Sequence, residues 1–473
     1  MLNELKNELN ETKTENMDKS YLSSTNSIVD FFALAGAMRD RDEQDIISLF
    51  LKAYNEDKQI AIRELFYFRD IRGGAGERRL FRVIIKYLAN NEKDVCKQIL
   101  KHIPEYGRWD DMFELFDTPL KDNVVQLTKE QFLKDVKSDK PTLLGKWMPS
   151  INTSSKKTRE KAKVMLKVLD MKEKEYRKTL SALRLKIDIV EKKMSENKWG
   201  NINYSHTPSR AAMIYSDAFR KHDEERYNSF IESVKKGKKK INASVLYPYE
   251  IYESIKKGID PSTINELWKA LPDYINKDEN ALVMADVSDS MFGRPIAVSV
   301  SLALYFAERN KGKFANHFMT FSGRPDLVEV QGNTIQSKFN SISRAHWDMN
   351  TDVTKAFMTI LNTAVKNNVP KSEMPNRLYI ISDMQFDECC NMNKTSYEHA
   401  KDEYNKAGYE LPEVVFWNVD ARTTQVPAKN EKGVLLVSGL SPVLFKQILS
   451  GRTSLDLVLE IVNQDRYKDI LIK

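Results

Sequence analysis

The feature that most limits the fold of this 473-residue chain is a change of hydrophobic period near residue 280. From Ser27 onward, apolar residues recur at spacings of three and four: Ile28-Val29, Phe31-Phe32, Ile46-Ile47 through Leu51, then Ile60–Phe68. That is helical spacing, without strand-like alternation. From Ala281 the pattern becomes short apolar runs alternating with helical segments. It predicts strands at 281–286, 314–321, 377–383, 413–419 and 433–438, and helices at 296–309, 353–366, 397–407, 442–450 and 453–463. Continuous apolar runs are what strands need when helices cover both faces of their sheet. The expected fold class is therefore α + α/β: irregular helical repeats stacked as an α-solenoid, then a doubly wound domain. The expected divisions are a disordered or loosely helical arm over 1–25, a helical module over 26–275 ending in a link at 259–280, and an α/β domain over 276–473.

The stretch Ala281–Gly293 reads ALVMADVSDSMFG, a buried strand running into Asp286-Val287-Ser288-Asp289-Ser290. Residues at i, i+2 and i+4 of an extended segment point the same way, so one carboxylate and two hydroxyls share a direction. That donor set suits Mg²⁺, which prefers hard oxygen ligands. Downstream, LYIISDMQFD brings Asp383 to the tip of another strand, and Asn350-Thr351-Asp352 opens the helix beginning at Val353. Ligand sites of doubly wound sheets lie at the carboxyl ends of the strands, where Asp286 and Asp383 both fall. The bland alternative is a capped strand–helix loop without metal. The ordered set of Asp-x-Ser-x-Ser, a Thr at a helix start and an Asp after a later strand resembles the metal-ion-dependent adhesion site of von Willebrand factor A domains. The resemblance implies Mg²⁺ or Mn²⁺ held by Asp286, Ser288, Ser290, Thr351 and Asp383, with Asp352 as a helix cap.

The net charge of +7 is unevenly placed. Residues 141–240 carry 25 Lys and Arg against 12 Asp and Glu, which leaves −6 for the rest of the chain. A basic segment in such a chain implies an anionic partner, nucleic acid first; the bland alternative is a solvated lysine-rich face. The candidate RNA contacts are Lys156, Lys157, Arg159 and Lys161 at the head of a basic helical run, and Lys235, Lys236, Lys238, Lys239 and Lys240 in KKGKKK. Trp199 and Tyr204 lie between them, and basic stretches interleaved with aromatics suit single-stranded RNA. Arg69–Arg79, RDIRGGAGERR, lacks the Lys-Ser/Thr and the preceding strand of a phosphate-binding P-loop. It reads as a helix–helix corner tied by Arg–Asp and Arg–Glu pairs, with bidentate phosphate contacts as the alternative. Trp109 in IPEYGRWDDM reads as core, with base stacking as the alternative. Trp147 in LLGKWMPS reads as a buried helix end.

No run approaches the ~20 apolar residues of a membrane span. The first twenty residues are polar, and no secretory signal is evident. Three cysteines, Cys96, Cys389 and Cys390, are too few for a disulfide framework, so a reducing, cytoplasmic setting is expected. The chain is expected to be a monomer. Asp289 and Asp387 lie near the site motifs, but the nearest histidine is His346, a loop residue. An enzyme is not expected.

RDIRGGAGER (69–78), EYGRWDD (105–111), KWMPSINTSS (146–155), YRKTLSAL (176–183) and DVSDSM (286–291) resemble an uncharacterised, sequence-defined family related to the TROVE-module proteins, the Ro autoantigen group. The resemblance spans about residues 25–460. It implies a HEAT-like helical ring closed by a Rossmann-like von Willebrand factor A domain. It also implies binding of misfolded or small structured RNA. No individual RNA-contacting residue of that group maps onto this chain. The expected function is non-enzymatic RNA binding. The alternative is an interaction scaffold whose metal captures an acidic residue of a partner protein.

Overall fold

The computed structural model describes residues 5, 8–276, 279–321, 324–342, 350–388 and 394–473. Cys389, Cys390 and His346 lie outside the described residues. The N-terminal arm is not a loose segment where it is described. Strands β1 (Glu11–Lys13) and β2 (Lys19–Tyr21) pair antiparallel as a hairpin. Its turn docks on the far half of the chain: the Thr14 hydroxyl donates to the Phe386 carbonyl at 2.8 Å, and the Asn16 amide to the Gln385 carbonyl at 2.8 Å. Polar side chains that give no hydrophobic period thus order the arm through backbone partners some 370 residues away.

The helical half follows, with helices of nine or more residues numbered here: α1 (Ser27–Ala35), α2 (Glu43–Glu56), α3 (Lys58–Arg69), α4 (Arg78–Asn91), α5 (Lys121–Lys137), α6 (Lys156–Leu169), α7 (Glu173–Lys186), α8 (Glu224–Lys235), α9 (Pro248–Lys256) and α10 (Pro261–Lys269). Four of their starts follow from side-chain capping. Asn26, Asp57, Ser155 and Asp260 each accept a hydrogen bond from the backbone N–H three residues on, which satisfies a donor the helix leaves open. The last of these lies inside the expected link, and Asp260-Pro261 is a helix-start signal passed over in reading it as linker.

Strands β3 (Ala281–Asp286), β4 (His317–Phe321), β5 (Asp326–Glu329), β6 (Arg377–Ser382), β7 (Glu413–Asn418) and β8 (Val434–Ser438) form one sheet in the order β5-β4-β3-β6-β7-β8. All neighbours are parallel except β4 and β5. The long helices of this half are α11 (Arg294–Arg309), α12 (Val353–Lys366), α13 (Ser396–Lys406) and α14 (Ser454–Val462). β3 and β6 are buried along their whole length, as strands covered on both faces must be. β5 and the helix Ile335–Ile342 gave no reading in the sequence, being short and mixed in polarity. The expected helix at 442–450 is a single turn, Leu444–Gln447, because Ile448 turns extended.

The helical half begins and ends on the α/β half. At its start, α1 packs on β8 and α14: Ser438 Oγ donates to the Phe32 carbonyl at 2.6 Å and accepts the Gly36 N–H at 2.9 Å. At its end, α9 packs on α11 and α10 on Ile335–Ile342, with Trp268 Nε1 donating to Glu308 at 2.6 Å. The chain of helices therefore closes on itself through the sheet domain.

Candidate metal centre and basic cleft

β3 connects outward to β4 on one side, and β6 lies on its other side. The crevice between β3 and β6 is thus the point where the strand order reverses, the usual ligand position in such sheets. Ala285 pairs with Ile381, which sets Asp286 and Asp383 at the same end of two adjacent parallel strands. Asp286 accepts the Ser288 N–H at 2.9 Å and the Ser382 hydroxyl at 2.5 Å. The Ser288 and Ser290 hydroxyls are 3.0 Å apart, and Ser290 is near enough to the Asp383 carboxylate to favour its charged form. Asp286, Ser288, Ser290 and Asp383 are therefore one cluster. Thr351 is buried, and its N–H donates to Asp387 Oδ2 at 2.8 Å; Asp387 lies four residues beyond Asp383, and neither residue shares a hydrogen bond with that cluster among the described residues. Asp352 is the N-cap of α12, accepting the Lys355 N–H at 2.9 Å.

Burial, and then the Asp383 carboxylate, push the Asp286 pKa up; burial does the same to Asp383. Asp383 Oδ2 is buried without a hydrogen-bond partner, and its nearest cation is Arg422 Nη1 at 3.8 Å. Two buried carboxylates, one oxygen left open, beside hydroxyls are an unbalanced negative site of hard oxygens, which fits Mg²⁺ or Mn²⁺. Among the described residues no three His, Cys, Asp or Glu side chains group for a metal. This centre has two carboxylates, with its other donors neutral. Arg422 also pairs with Glu15 of the N-terminal hairpin at 3.0 Å. Ser382, Arg422 and Glu15 were missed in the sequence: Ser382 stood in plain view beside Asp383, whereas the other two reach the site only through tertiary packing.

The lysine clusters lie on the helical half. Lys157 and Lys161 approach Glu114 at 3.7 and 3.2 Å, Arg159 caps the Thr153 and Ser154 carbonyls, and Lys235 pairs with Glu232 at 2.7 Å. Lys156, Lys236, Lys238, Lys239 and Lys240 are exposed, with no carboxylate partner among the described residues. A separate basic site emerges at the two corner motifs. A cleft of about 620 Å³ is lined by Arg72, Lys101 and Lys146 together with Trp109, Trp147 and Tyr215. Both tryptophans are half-buried: Trp109 packs against the core while lining the cleft, and Arg108 lies 4.6 Å from the Trp147 ring centroid. The RDIRGGAGERR corner is tied as its charges suggest. Arg69 pairs with Asp111 at 2.7 Å, Arg39 with Glu77 at 2.5 Å, and Arg466 with Asp70.

The fold is thus a helical module closed on a doubly wound α/β domain, with a cluster of oxygen donors at the sheet's switch point. The chain belongs to the family described as "Domain of unknown function (DUF2828)", whose matches cover residues 14–140 and 109–289. "Domain of unknown function (DUF7788)" matches residues 280–469, the α/β half. The chain is 28% identical over 488 residues to "Uncharacterized protein L728" of Acanthamoeba polyphaga mimivirus, a match spanning 93% of this chain and 84% of that protein. Among solved structures, the Deinococcus radiodurans RO (RSR) protein aligns with a TM-score of 0.45 at 11% identity, over 93% of this chain and 99% of that one. Among the described residues no helix is long and apolar enough to cross a membrane.

Proposed function

We propose that the protein is a non-enzymatic RNA-binding protein whose α/β half is a von Willebrand factor A-like domain carrying one Mg²⁺ or Mn²⁺. The observation that carries the RNA reading is the basic cleft. Half-buried Trp109, Trp147 and Tyr215 stand among Arg72, Lys101, Arg108 and Lys146, with exposed lysines elsewhere on the same module. Aromatic faces stack unpaired bases without regard to sequence, and the cations between them meet the phosphates. The metal reading is supported by the open Asp383 oxygen and by the parallel sheet with one antiparallel edge strand. Asp286, Ser288, Ser290, Thr351 and Asp383 would hold the ion, which when bound offers a coordination position to an anionic oxygen.

Polarisation titration of single-stranded RNA, hairpin RNA and matched DNA at two salt concentrations tests the reading. RNA with a free single-stranded end binds best, and affinity falls steeply with salt. Trp147→Ala weakens it by roughly 5–100-fold, the loss of one stacked base. Replacing the lysines of Lys235–Lys240 with Ser flattens the salt slope by about 0.7 per lost phosphate contact. Absence of binding at low salt defeats the proposal.

Phe292 favours a second reading. It is 90% exposed two residues beyond Ser290, at the rim of the oxygen cluster. A bare aromatic beside a metal suits an interaction scaffold, in which a partner's Asp or Glu completes the ion's shell. Mn²⁺-dependent capture of an acidic peptide, lost in Phe292→Ala, distinguishes it.

A further inference from the structure

The loop that follows the oxygen cluster also reaches a second site. Arg294, four residues beyond Ser290, lines a cavity of about 380 Å³ where the two ends of the helical module meet the sheet domain. Seven arginines and two acids, Asp40 and Glu77, face this space. The segments that supply them lie far apart in sequence: the end of α1, the α3–α4 corner, Arg108, Arg210 and the start of α11.

Four of the arginines are fixed in place. Arg39 grips Glu77 with two nitrogens, Nε and Nη2, and Arg210 grips Glu250 at 2.6 and 3.1 Å. Arg79 donates to the Arg41 carbonyl at 2.6 Å. Arg69 Nε donates to Asp111 at 2.8 Å, whereas its buried Nη2 lies 2.7 Å from the same oxygen without hydrogen-bond geometry and has no acceptor. The other three, Arg78, Arg108 and Arg294, have no carboxylate within ion-pair distance among the described residues. Arg108 is the most telling. Burial pushes its pKa down, Arg78 and Arg69 add to that push, and Asp110 and Asp111 only oppose it. An Arg-rich concavity with this excess of positive charge suits an anion.

The glycine turn is not the anion's cradle. The Ala75, Gly76 and Glu77 N–H groups all donate to backbone carbonyls of residues 67–70. A Cβ at Gly74 would stand 2.0 Å from the Tyr67 carbonyl oxygen. The turn folds the chain back tightly enough to bring Arg69, Arg78 and Arg79 to one wall, and recognition is left to guanidinium groups. Their planar forks match phosphate oxygens, and Arg is preferred where bidentate recognition matters.

We propose that this cavity binds a phosphate group, either of a free nucleotide or diphosphate or at the end of an RNA strand. It adjoins the aromatic cleft, since Ile71, Arg108 and Arg210 line both, so a nucleotide held by its phosphate has ring surfaces nearby. The inference goes beyond the RNA reading and rests on it only for the strand-end source.

Calorimetric titration of the full chain with inorganic pyrophosphate in EDTA, alongside 5′-phosphorylated and 5′-hydroxyl RNA decamers at 150 mM salt, tests it. EDTA removes any bound cation from the outcome. Pyrophosphate binding establishes the free-phosphate source. A phosphorylated strand binding at least tenfold tighter than its hydroxyl twin establishes the strand end. Arg78→Ala/Arg294→Ala changes two exposed side chains and leaves the fold intact, and either signal then falls at least tenfold. The proposal is overturned if neither signal appears, or if both survive that variant. RNA bound equally with either 5′ end, and no pyrophosphate bound, upholds the RNA reading and rejects this site. Pyrophosphate bound without any RNA upholds the site and rejects that reading.

Discussion

Asp286 ends a fully buried strand, and its neighbour Asp383 carries an oxygen with no hydrogen-bond partner. Removing either carboxylate therefore relieves repulsion as well as removing a donor. Asp286→Ala is expected to abolish Mn²⁺ binding while circular dichroism and Tm stay close to the parent; unchanged Mn²⁺ affinity rejects the metal assignment. Glu64 on α3 is a second strained carboxyl, wholly buried with neither oxygen hydrogen-bonded. Burial, then Glu56 and Asp57, raise its pKa well above the usual carboxylate value. A raised folded-state pKa means that the native chain holds the proton more tightly than the unfolded one. The stability this gives is fully present below the unfolded pKa of about 4.3 and is lost as pH climbs toward the folded value. Glu64→Gln carries no such titration. Its Tm advantage over the parent is expected to widen from pH 5 to pH 8, and a gap constant with pH would count against this account.

At the scale of elements, helices and strands of the second half were legible because each buries a continuous or periodic apolar face. The predicted helix 353–366 and strand 281–286 match the observed α12 and β3 residue for residue. The Asp-x-Ser-x-Ser loop was legible as a motif, but alternation does not align its oxygens: the strand ends at Asp286, and Ser290 is carried by a 3-10 turn, Asp289–Met291. Strand pairing was not. Which strand neighbours β3, and hence that Asp383 meets Asp286, depends on sheet order, and order is decided by packing between helices and sheet rather than by local pattern. The arm shows the same limit from the other side. A polar hairpin has no apolar period, and its order comes from partners such as Gln385, Phe386 and Val426.

For the whole molecule, the decisive contact is the crossing of α1 over β8. Gly36 is seated against backbone: a Cβ there would lie 2.5 Å from the Ser438 carbonyl oxygen and 2.8 Å from Gly439 Cα, neither of which can yield. Gly36→Ala is expected to destabilise by about 1–3 kcal/mol, the usual cost of overpacking. Gly200→Ala, with nothing within 4 Å of the added methyl, is expected to change stability by less than about 0.5 kcal/mol. Because α1, α9 and α10 bury apolar surface against the α/β half, thermal unfolding of the parent is expected to show one transition. Two well-separated transitions would show the modules to be independent.

By itself the sequence determined the two kinds of secondary structure, the place where one gives way to the other, and the DVSDS motif at the end of a buried strand. Those follow from interactions within a few residues: hydrophobic period and caps. Only the tertiary structure decided that Arg422 and Glu15 stand at the oxygen cluster, that Trp109 and Trp147 line one cleft, and that seven arginines surround one cavity. Those sites are assembled from residues that local pattern treats as corners and surface charge, and they come together only because both ends of the helical module bury their apolar faces on the same sheet domain.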